Sequence, residues 1–123
     1  MPLTLCVLLW AVDGQVDPLT RYEDEVLALV PVHGGRVASR VRSVPGEDPA
    51  VPAEVQVIEM PDDAALAAYM ADPARVALAD VRDRVVARTQ IVRVEPVARR
   101  GGPSPPPRVT AGPAEGDRRP RRR

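Results

Sequence analysis

The apolar run near the start of the chain constrains the fold most, because nine of the ten residues from Leu3 to Val12 are apolar. Alternate side chains of a strand point to opposite faces of a sheet. A strand here therefore has two apolar faces, one with Leu3, Leu5, Val7, Leu9 and Ala11 and the other with Cys6, Leu8, Trp10 and Val12. An antiparallel sheet with one solvated face shows apolar and polar residues in alternation instead. Both faces of the predicted sheet must therefore be covered.

The same run does not fit an export signal or a membrane span. No positive charge precedes it, and Asp13-Gly14-Gln15 follows it in place of a small-residue cleavage motif. Its ten residues also fall short of the roughly 20 that cross a bilayer. We therefore expect no membrane association and a cytoplasmic location. Cys6 is the only cysteine, which excludes an internal disulfide and predicts a reduced core thiol.

Two helical regions are predicted from capping residues and apolar periodicity. Asp17-Pro18 predicts a helix start, with Asp17 as the cap. Its predicted buried face is Leu19, Tyr22, Val26, Leu27 and Val30, and its predicted exposed face is Arg21, Glu23, Asp24 and Glu25. Asp62 predicts a second helix through Met70. Asp72-Pro73 predicts a third to about Arg88, with Val76, Leu78, Val81 and Val85 facing inward.

Three further strands are predicted at residues 36–44, 54–60 and 89–97, separated by proline-rich or helical segments. The order is β-α-β-β-α(α)-β. Short connections and right-handed crossovers then predict an α+β, ferredoxin-like plait with a four-stranded antiparallel sheet and helices on one face. Because those helices cover a single face, we expect a second copy of the chain to cover the other, which predicts a homodimer.

Two segments resemble the dimeric α/β-barrel superfamily: "HGGR" (His33–Arg36) and "EVQVIEMPDDAALAAYMADP" (Glu54–Pro73). The superfamily includes antibiotic-biosynthesis monooxygenases and muconolactone-isomerase-like and YciI-like proteins. The resemblance covers about residues 3–97 and is nearest to a branch known as a domain of unknown function. Met60 departs from that branch, which has an aromatic residue there, and Pro31 is expected to kink the end of the first helix. The resemblance implies a dimeric α/β barrel with a small-molecule cleft, without specifying a reaction.

Two residues are candidates for catalysis. His33, the only histidine, titrates near neutral pH and suits a general base, although a histidine at a helix end also interacts with its carbonyls, and haem ligation is a third interpretation. Glu59, on the predicted central strand, suits an acid or base if buried, or an ion pair with an arginine across the dimer. Candidates for ligand binding are Trp10, Arg40, Gln56 and Tyr69.

Three of the binding candidates, Trp10, Tyr69 and Arg40, have a structural alternative. Trp10 and Tyr69 are also typical core residues. Arg40 and Arg42 are expected on one strand face with Arg36, where they either clamp a carboxylate or protect an edge strand. One histidine and one cysteine do not make a zinc site, and Gly34-Gly35 lacks the lysine and helix of a phosphate loop. We expect no metal and no cofactor.

Charge is segregated along the chain. Residues 1–97 hold nine arginines and 15 acidic residues, whereas residues 98–123 hold eight arginines and two acidic residues. With six prolines, four glycines and few apolar side chains, residues 98–123 are expected to be a disordered tail following a domain at 1–97. Nucleic acid is an unlikely partner, reachable only through the terminal arginines Arg118, Arg119, Arg121, Arg122 and Arg123.

The sequence therefore supports a small dimeric protein that binds or transforms a small metabolite in a cleft, with cofactor-free oxygenation or isomerisation among the implied reactions. The alternative is a non-catalytic dimer whose arginine-rich tail contacts nucleic acid or an acidic partner. Whether the chain is an enzyme is left open by these residues.

Overall fold

The structure, a computed structural model, describes residues 2–97. The strands are β1 (Leu3–Ala11), β2 (Arg36–Arg42), β3 (Glu54–Met60) and β4 (Val86–Val94). The helices are α1 (Val16–Leu27), α2 (Asp63–Met70), α3 (Pro73–Val76) and α4 (Ala79–Val85), and a 3₁₀ turn spans Pro31–His33. The tail expected at 98–123, with its terminal arginines, lies outside the described residues.

The strands form one antiparallel sheet in the order β2-β3-β1-β4. β1, the apolar strand, is central and pairs with β3 and β4, for example through Cys6 opposite Val57 and Val92. The helices lie in the connections where a ferredoxin-like plait has them, with α1 between β1 and β2 and the other three between β3 and β4. The predicted α+β fold, with a four-stranded antiparallel sheet and helices on one face, is confirmed.

The core lies between the helices and one face of the sheet, called here the covered face. The whole predicted apolar face of α1 is buried there, with Leu19, Tyr22, Val26, Leu27 and Val30 each at most 7% exposed. They pack with Leu5, Val7 and Leu9 of β1. The prediction that Glu23 is exposed is wrong, since its exposure is 6%. Glu23 lies within the apolar stripe of α1, one residue from Tyr22, and so faces the sheet.

The helix boundaries differ from prediction at three places. α1 begins at Val16, so Asp17 lies in its first turn and does not cap it. Asp62 and Asp72 do cap, accepting hydrogen bonds from the backbone N–H of Ala65 and Ala74, both at 2.8 Å. The predicted third helix is interrupted after Val76 and ends at Val85. Val76, the last residue of α3, is 55% exposed, contrary to prediction, since the nine positions from Val76 to Val85 make about two and a half helical turns and cannot place both on one face.

A β-bulge in β2 changes which of its arginines share a face. The register shifts between Val37 and Ser39, so Arg36 pairs with Glu59 while Arg40 pairs with Gln56. An extra residue at this point reverses the alternation beyond it. Arg40 and Arg42 therefore lie on the covered face and Arg36 on the other, and the expectation that all three share a face is wrong.

The two glycines after the 3₁₀ turn meet different requirements. Gly34 ends the turn with φ of 82°, the left-handed region that favours glycine. At Gly35 a Cβ atom would lie 2.6 Å from Met60 Sδ and 2.7 Å from the carbonyl oxygen of Glu59. The absence of a side chain there lets the connection to β2 pack directly on the end of β3.

The opposite side of the sheet, called here the open face, is not covered within the described residues. Its side chains come from all four strands and include Cys6 and Leu8 of β1, Val55 and Val57 of β3, and Val41, Val92 and Val94 of the edge strands. Val41 is 59% exposed and Val92 39%. The two apolar faces predicted for the first strand are therefore present, one buried and one partly accessible.

Candidate functional site

A cavity of about 50 Å³ lies between the covered face and the helices. Its walls are mainly apolar, with residues from β1, α1, β3, α2 and β4. Its polar side chains are Glu23, Gln56, Tyr69, Arg75, Arg82 and Thr89. Met70 and Ile91 also line it and are 41% and 49% exposed, so the mouth lies between the end of α2 and the β4 edge of the sheet. An apolar cavity with a few converging polar groups is typical of a small-molecule site.

A buried polar network forms one wall of this cavity. The Gln56 side-chain amide, 1% exposed, donates hydrogen bonds to Glu23 Oε1 and to Glu54 Oε2, both at 2.8 Å. Glu54, also 1% exposed, accepts a 2.5 Å hydrogen bond from Arg40 Nε. Arg40 in turn donates to the Thr20 carbonyl oxygen at 2.9 Å. Each buried polar group in this network therefore has a partner, as buried polar groups require.

The two glutamates of the network have different electrostatic environments. Glu54 has Arg40 as a direct ion-pair partner. Among residues 2–97, Glu23 has only the neutral amide of Gln56 in hydrogen-bond contact. Burial raises the pKa of the Glu23 carboxyl, and the charge of Glu54 raises it further, against the lowering effects of Gln56, Arg40 and Arg75. A carboxyl group of this kind is suited to exchange a proton with a ligand.

Two arginines supply positive charge to the same cavity. The guanidinium group of Arg75 stacks over the Tyr69 ring, 5.1 Å from its centroid. Its Nε atom is buried and has no hydrogen-bond partner among the described residues. Arg82 donates a 2.8 Å hydrogen bond to Thr89 Oγ1. Burial raises the pKa of the Tyr69 phenol, so its hydroxyl group remains protonated at neutral pH.

His33 lies apart from this cavity. Its Nε2 atom is 2.7 Å from Asp72 Oδ2, and its ring contacts the Tyr69 ring edge-on at 6.3 Å between centroids. This contact lowers the pKa of the Asp72 carboxyl. Because Asp72 also caps α3, the pair ties the 3₁₀ turn to the start of the helix that carries Arg75. The geometry fits a structural contact for His33.

Glu59 and Trp10 lie on the open face. Glu59 is 45% exposed and accepts a 3.0 Å hydrogen bond from Arg36 Nε of the same chain. Trp10 donates through Nε1 to the Ala50 carbonyl oxygen at 3.0 Å, and the Arg88 guanidinium lies 4.3 Å from the centroid of its ring. Neither residue lines the cavity.

Of the six candidates from the sequence, Gln56 and Tyr69 line the cavity. Arg40 reaches its wall indirectly through Glu54, and His33 touches Tyr69 from outside. Sequence reasoning missed Glu23, Glu54, Arg75 and Arg82. Two signals were available: Glu23 lies within the apolar stripe of α1, and Glu54 alternates in phase with Ile58 and Met60 of β3.

A wider cleft of about 450 Å³ lies at one end of the sheet, between the β1–α1 connection and the β2–β3 connection. Its charged residues, such as Asp13, Asp17 and Glu47, are exposed. Within residues 2–97, no group of three or more His, Cys, Asp or Glu side chains is arranged to hold a metal ion. No helix in that part of the chain is both long and apolar enough to span a membrane.

Comparison with models of protein families and with curated proteins gives no match. Solved structures do match. A dimeric protein of unknown function and ferredoxin-like fold from Bacteroides fragilis is 15% identical, covers 76% of this chain and 95% of its own, and has a TM-score of 0.58. An uncharacterized NIPSNAP-like domain protein from Burkholderia xenovorans is 14% identical, with coverage of 86% and 92% and a TM-score of 0.65.

A third similar structure is a protein from Pseudomonas aeruginosa, with 18% identity, coverage of 79% of this chain and 95% of that chain, and a TM-score of 0.61. At these identities the similarity establishes the fold. The chain is a small α+β protein of ferredoxin-like fold, with a polar-lined cavity between its sheet and its helices.

Proposed function

We propose that this protein binds a small, partly apolar metabolite in the cavity between the covered face and the helices. The cavity itself carries the proposal: apolar walls converge on Glu23, Gln56 and Arg75, and the Nε–H of Arg75 has no acceptor within residues 2–97. A buried donor without a partner costs about 1–3 kcal/mol, which a ligand that accepts its hydrogen bond would recover.

We also propose that the protein is a homodimer in which the open faces of two copies meet. The open face has valines from β2, β3 and β4 around Leu8 and Cys6. Burying each such side chain stabilises by about 1.5–3 kcal/mol. A second copy is proposed as the cover in preference to residues 98–123, because their sequence has eight arginines and few apolar side chains. A two-fold arrangement lets one surface serve both partners.

Kinship with the dimeric α/β-barrel superfamily, and with its antibiotic-biosynthesis-monooxygenase-like and YciI-like members, is part of this proposal. It is supported by the strand order and by the positions of the quoted motifs, since Gly34-Gly35 packs on Met60 and Pro61 at the end of β3. We further propose that residues 1–97 form one domain and that residues 98–123 form a tail. We also propose a cytoplasmic location.

Ligand binding is tested with a substitution that closes the mouth of the cavity. Ile91→Trp places a large ring at the exposed mouth, whereas Val32→Trp adds the same ring at a position 69% exposed and outside the cavity. A panel of small carboxylates and small neutral apolar compounds is screened by ligand-observed NMR. We expect at least one compound to bind wild type and Val32→Trp, with at least tenfold weaker binding to Ile91→Trp. Absence of any binding to wild type, or equal binding to both variants, would refute the proposal.

A further inference from the structure

Opposite charges line the cavity, with apolar surface between them. Glu23 enters from α1, and Arg75 and Arg82 enter from α3 and α4. Arg75 is near enough to Glu23 for its charge to lower the pKa of that carboxyl against the effect of burial. Within the described part of the chain, Glu23 nevertheless has no cation in hydrogen-bond contact, since its partner there is the amide of Gln56. The carboxyl and the guanidinium therefore both retain capacity for a ligand.

The size of the cavity limits what this ligand can be. The cavity, at about 50 Å³, is larger than the space that a single buried water needs and too small for a large ligand. That suits an acid of three or four carbon atoms. A guanidinium group with a free Nε–H binds a carboxylate through paired hydrogen bonds, and Arg75 has that donor available within the described residues.

Resting on the proposed function, we propose that the cavity takes a small 2-oxo carboxylate, held by Arg75, and that Glu23 transfers a proton at the carbon beside its keto group. The Gln56 amide, fixed between Glu23 and Glu54, holds the Glu23 carboxyl in place. Arg82, anchored on Thr89, adds positive charge on the same side as Arg75. Glu23 is thus assigned a catalytic role, and Gln56 a positioning role.

Proton transfer between the keto acid and Glu23 needs no further reactant. A carboxylate oxygen of Glu23 takes the proton from the carbon next to the keto group. The electron pair of that C–H bond forms a carbon–carbon double bond, and the π pair of the C=O bond moves to oxygen, giving an enolate. The positive charge of Arg75 and Arg82 stabilises this oxygen. Return of the proton from Glu23 to the same carbon, as the electron pair moves back from oxygen, regenerates the keto acid.

Deuterium exchange tests this step on the full chain, with pyruvate as the probe. In D2O, NMR follows the loss of the pyruvate methyl proton signal. We expect wild type to accelerate exchange at least about 100-fold over buffer, the contribution typical of a positioned base. Glu23→Gln should abolish this acceleration while leaving pyruvate binding within about threefold, since the glutamine retains an acceptor for Gln56. Glu25→Gln, an exposed position on the same helix, should exchange as wild type.

Further measurements distinguish the proton-transfer inference from the proposed ligand-binding function. Arg75→Met should weaken pyruvate binding at least tenfold. Wild-type exchange no faster than buffer, or exchange unchanged in Glu23→Gln, would overturn the proton-transfer inference. If neutral compounds bind in a manner sensitive to Ile91→Trp and pyruvate does not bind, the inference fails and the proposed function stands. Should Glu23→Gln not fold, Glu23→Asp is the second variant, with exchange expected to fall at least tenfold because the carboxyl is withdrawn by one methylene.

Discussion

On the covered side of the sheet Glu54 and Gln56 of β3 are 1% exposed, whereas on the other side the neighbouring Val55 and Val57 remain partly accessible. Most folded chains place such residues the other way round. The two faces are therefore subject to different constraints. Charged side chains are buried under the helices at an energetic cost, and this cost favours a functional site there. Apolar groups are retained on the open face, which favours a partner surface.

The largest effect is expected from placing a charge on the open face. Val57 lies at its middle, opposite Cys6 and Ser39. Val57→Glu would bury one carboxylate per subunit at the proposed interface, at a cost of several kcal/mol per ion. Analytical ultracentrifugation at micromolar concentration should show wild type at twice the mass of the chain and Val57→Glu at the single mass.

The matched control is Val32→Glu, which adds the same charge at a position 69% exposed on the helix side. It should sediment as wild type. A wild-type protein that sediments as a single chain, or a Val57→Glu variant that remains a dimer, would show that the open face is not the dimer interface.

The next largest effect concerns the buried ion pair. Arg40→Met leaves Glu54, whose side chain is 2% exposed, without its cation, and removal of one partner of a buried pair costs about 3–5 kcal/mol. Arg93→Met breaks a pair with Asp63 in which both side chains are more than half exposed, and should cost at most about 1 kcal/mol. Urea unfolding measures both free energies. Equal effects of the two substitutions would contradict the assignment of a costly buried charge.

A smaller effect is expected from the pH dependence of stability. Burial raises the pKa of Glu23 above its ordinary value of 4.5. The folded state therefore binds this proton more strongly than the unfolded state, and the contribution of Glu23 to stability falls as pH rises from 4.5 through the raised pKa. Glu23→Gln removes that loss, so its stability relative to wild type should increase with pH over this range.

Urea unfolding between pH 4 and pH 8 measures this difference, with Glu25→Gln as the control for loss of one carboxylate from the same helix. A Glu23→Gln variant whose stability relative to wild type is constant over the range would show that the carboxyl is not desolvated.

The smallest effect is spectroscopic. Trp10 is the only tryptophan, and it lies on the open face beside Leu8 with Arg88 stacked on its ring. Dilution of wild type below the dimer dissociation constant should shift its emission to longer wavelength, because water then reaches the ring. Val57→Glu should show the shifted emission at every concentration, whereas Arg40→Met should retain the concentration dependence of wild type. Emission independent of concentration in wild type would contradict coverage of Trp10 by a second copy.

The order of elements, the fold class and the buried face of α1 were predictable from the amino-acid sequence alone. These follow from local rules: capping aspartates at positions 62 and 72, the 3.6-residue stripe from Leu19 to Val30, and the apolar strand at the start. Two of the six candidate residues from the sequence, Gln56 and Tyr69, line the cavity, and their role in binding remains a prediction.

Which charged side chains come into contact depends on long-range packing, which the sequence pattern does not reveal. The bulge in β2 brings Arg40 to the covered face, and the packing of α3 and α4 on the sheet places Arg75 and Arg82 in one cavity with Glu23. The bulge has no clear local signal, whereas the seven-residue spacing of the two arginines is compatible with a shared helix face. Contacts between residues such as Glu23 and Gln56, 33 positions apart, depend on how the elements pack and not on spacing along the chain. Local patterns therefore specified the framework, and long-range packing specified the site.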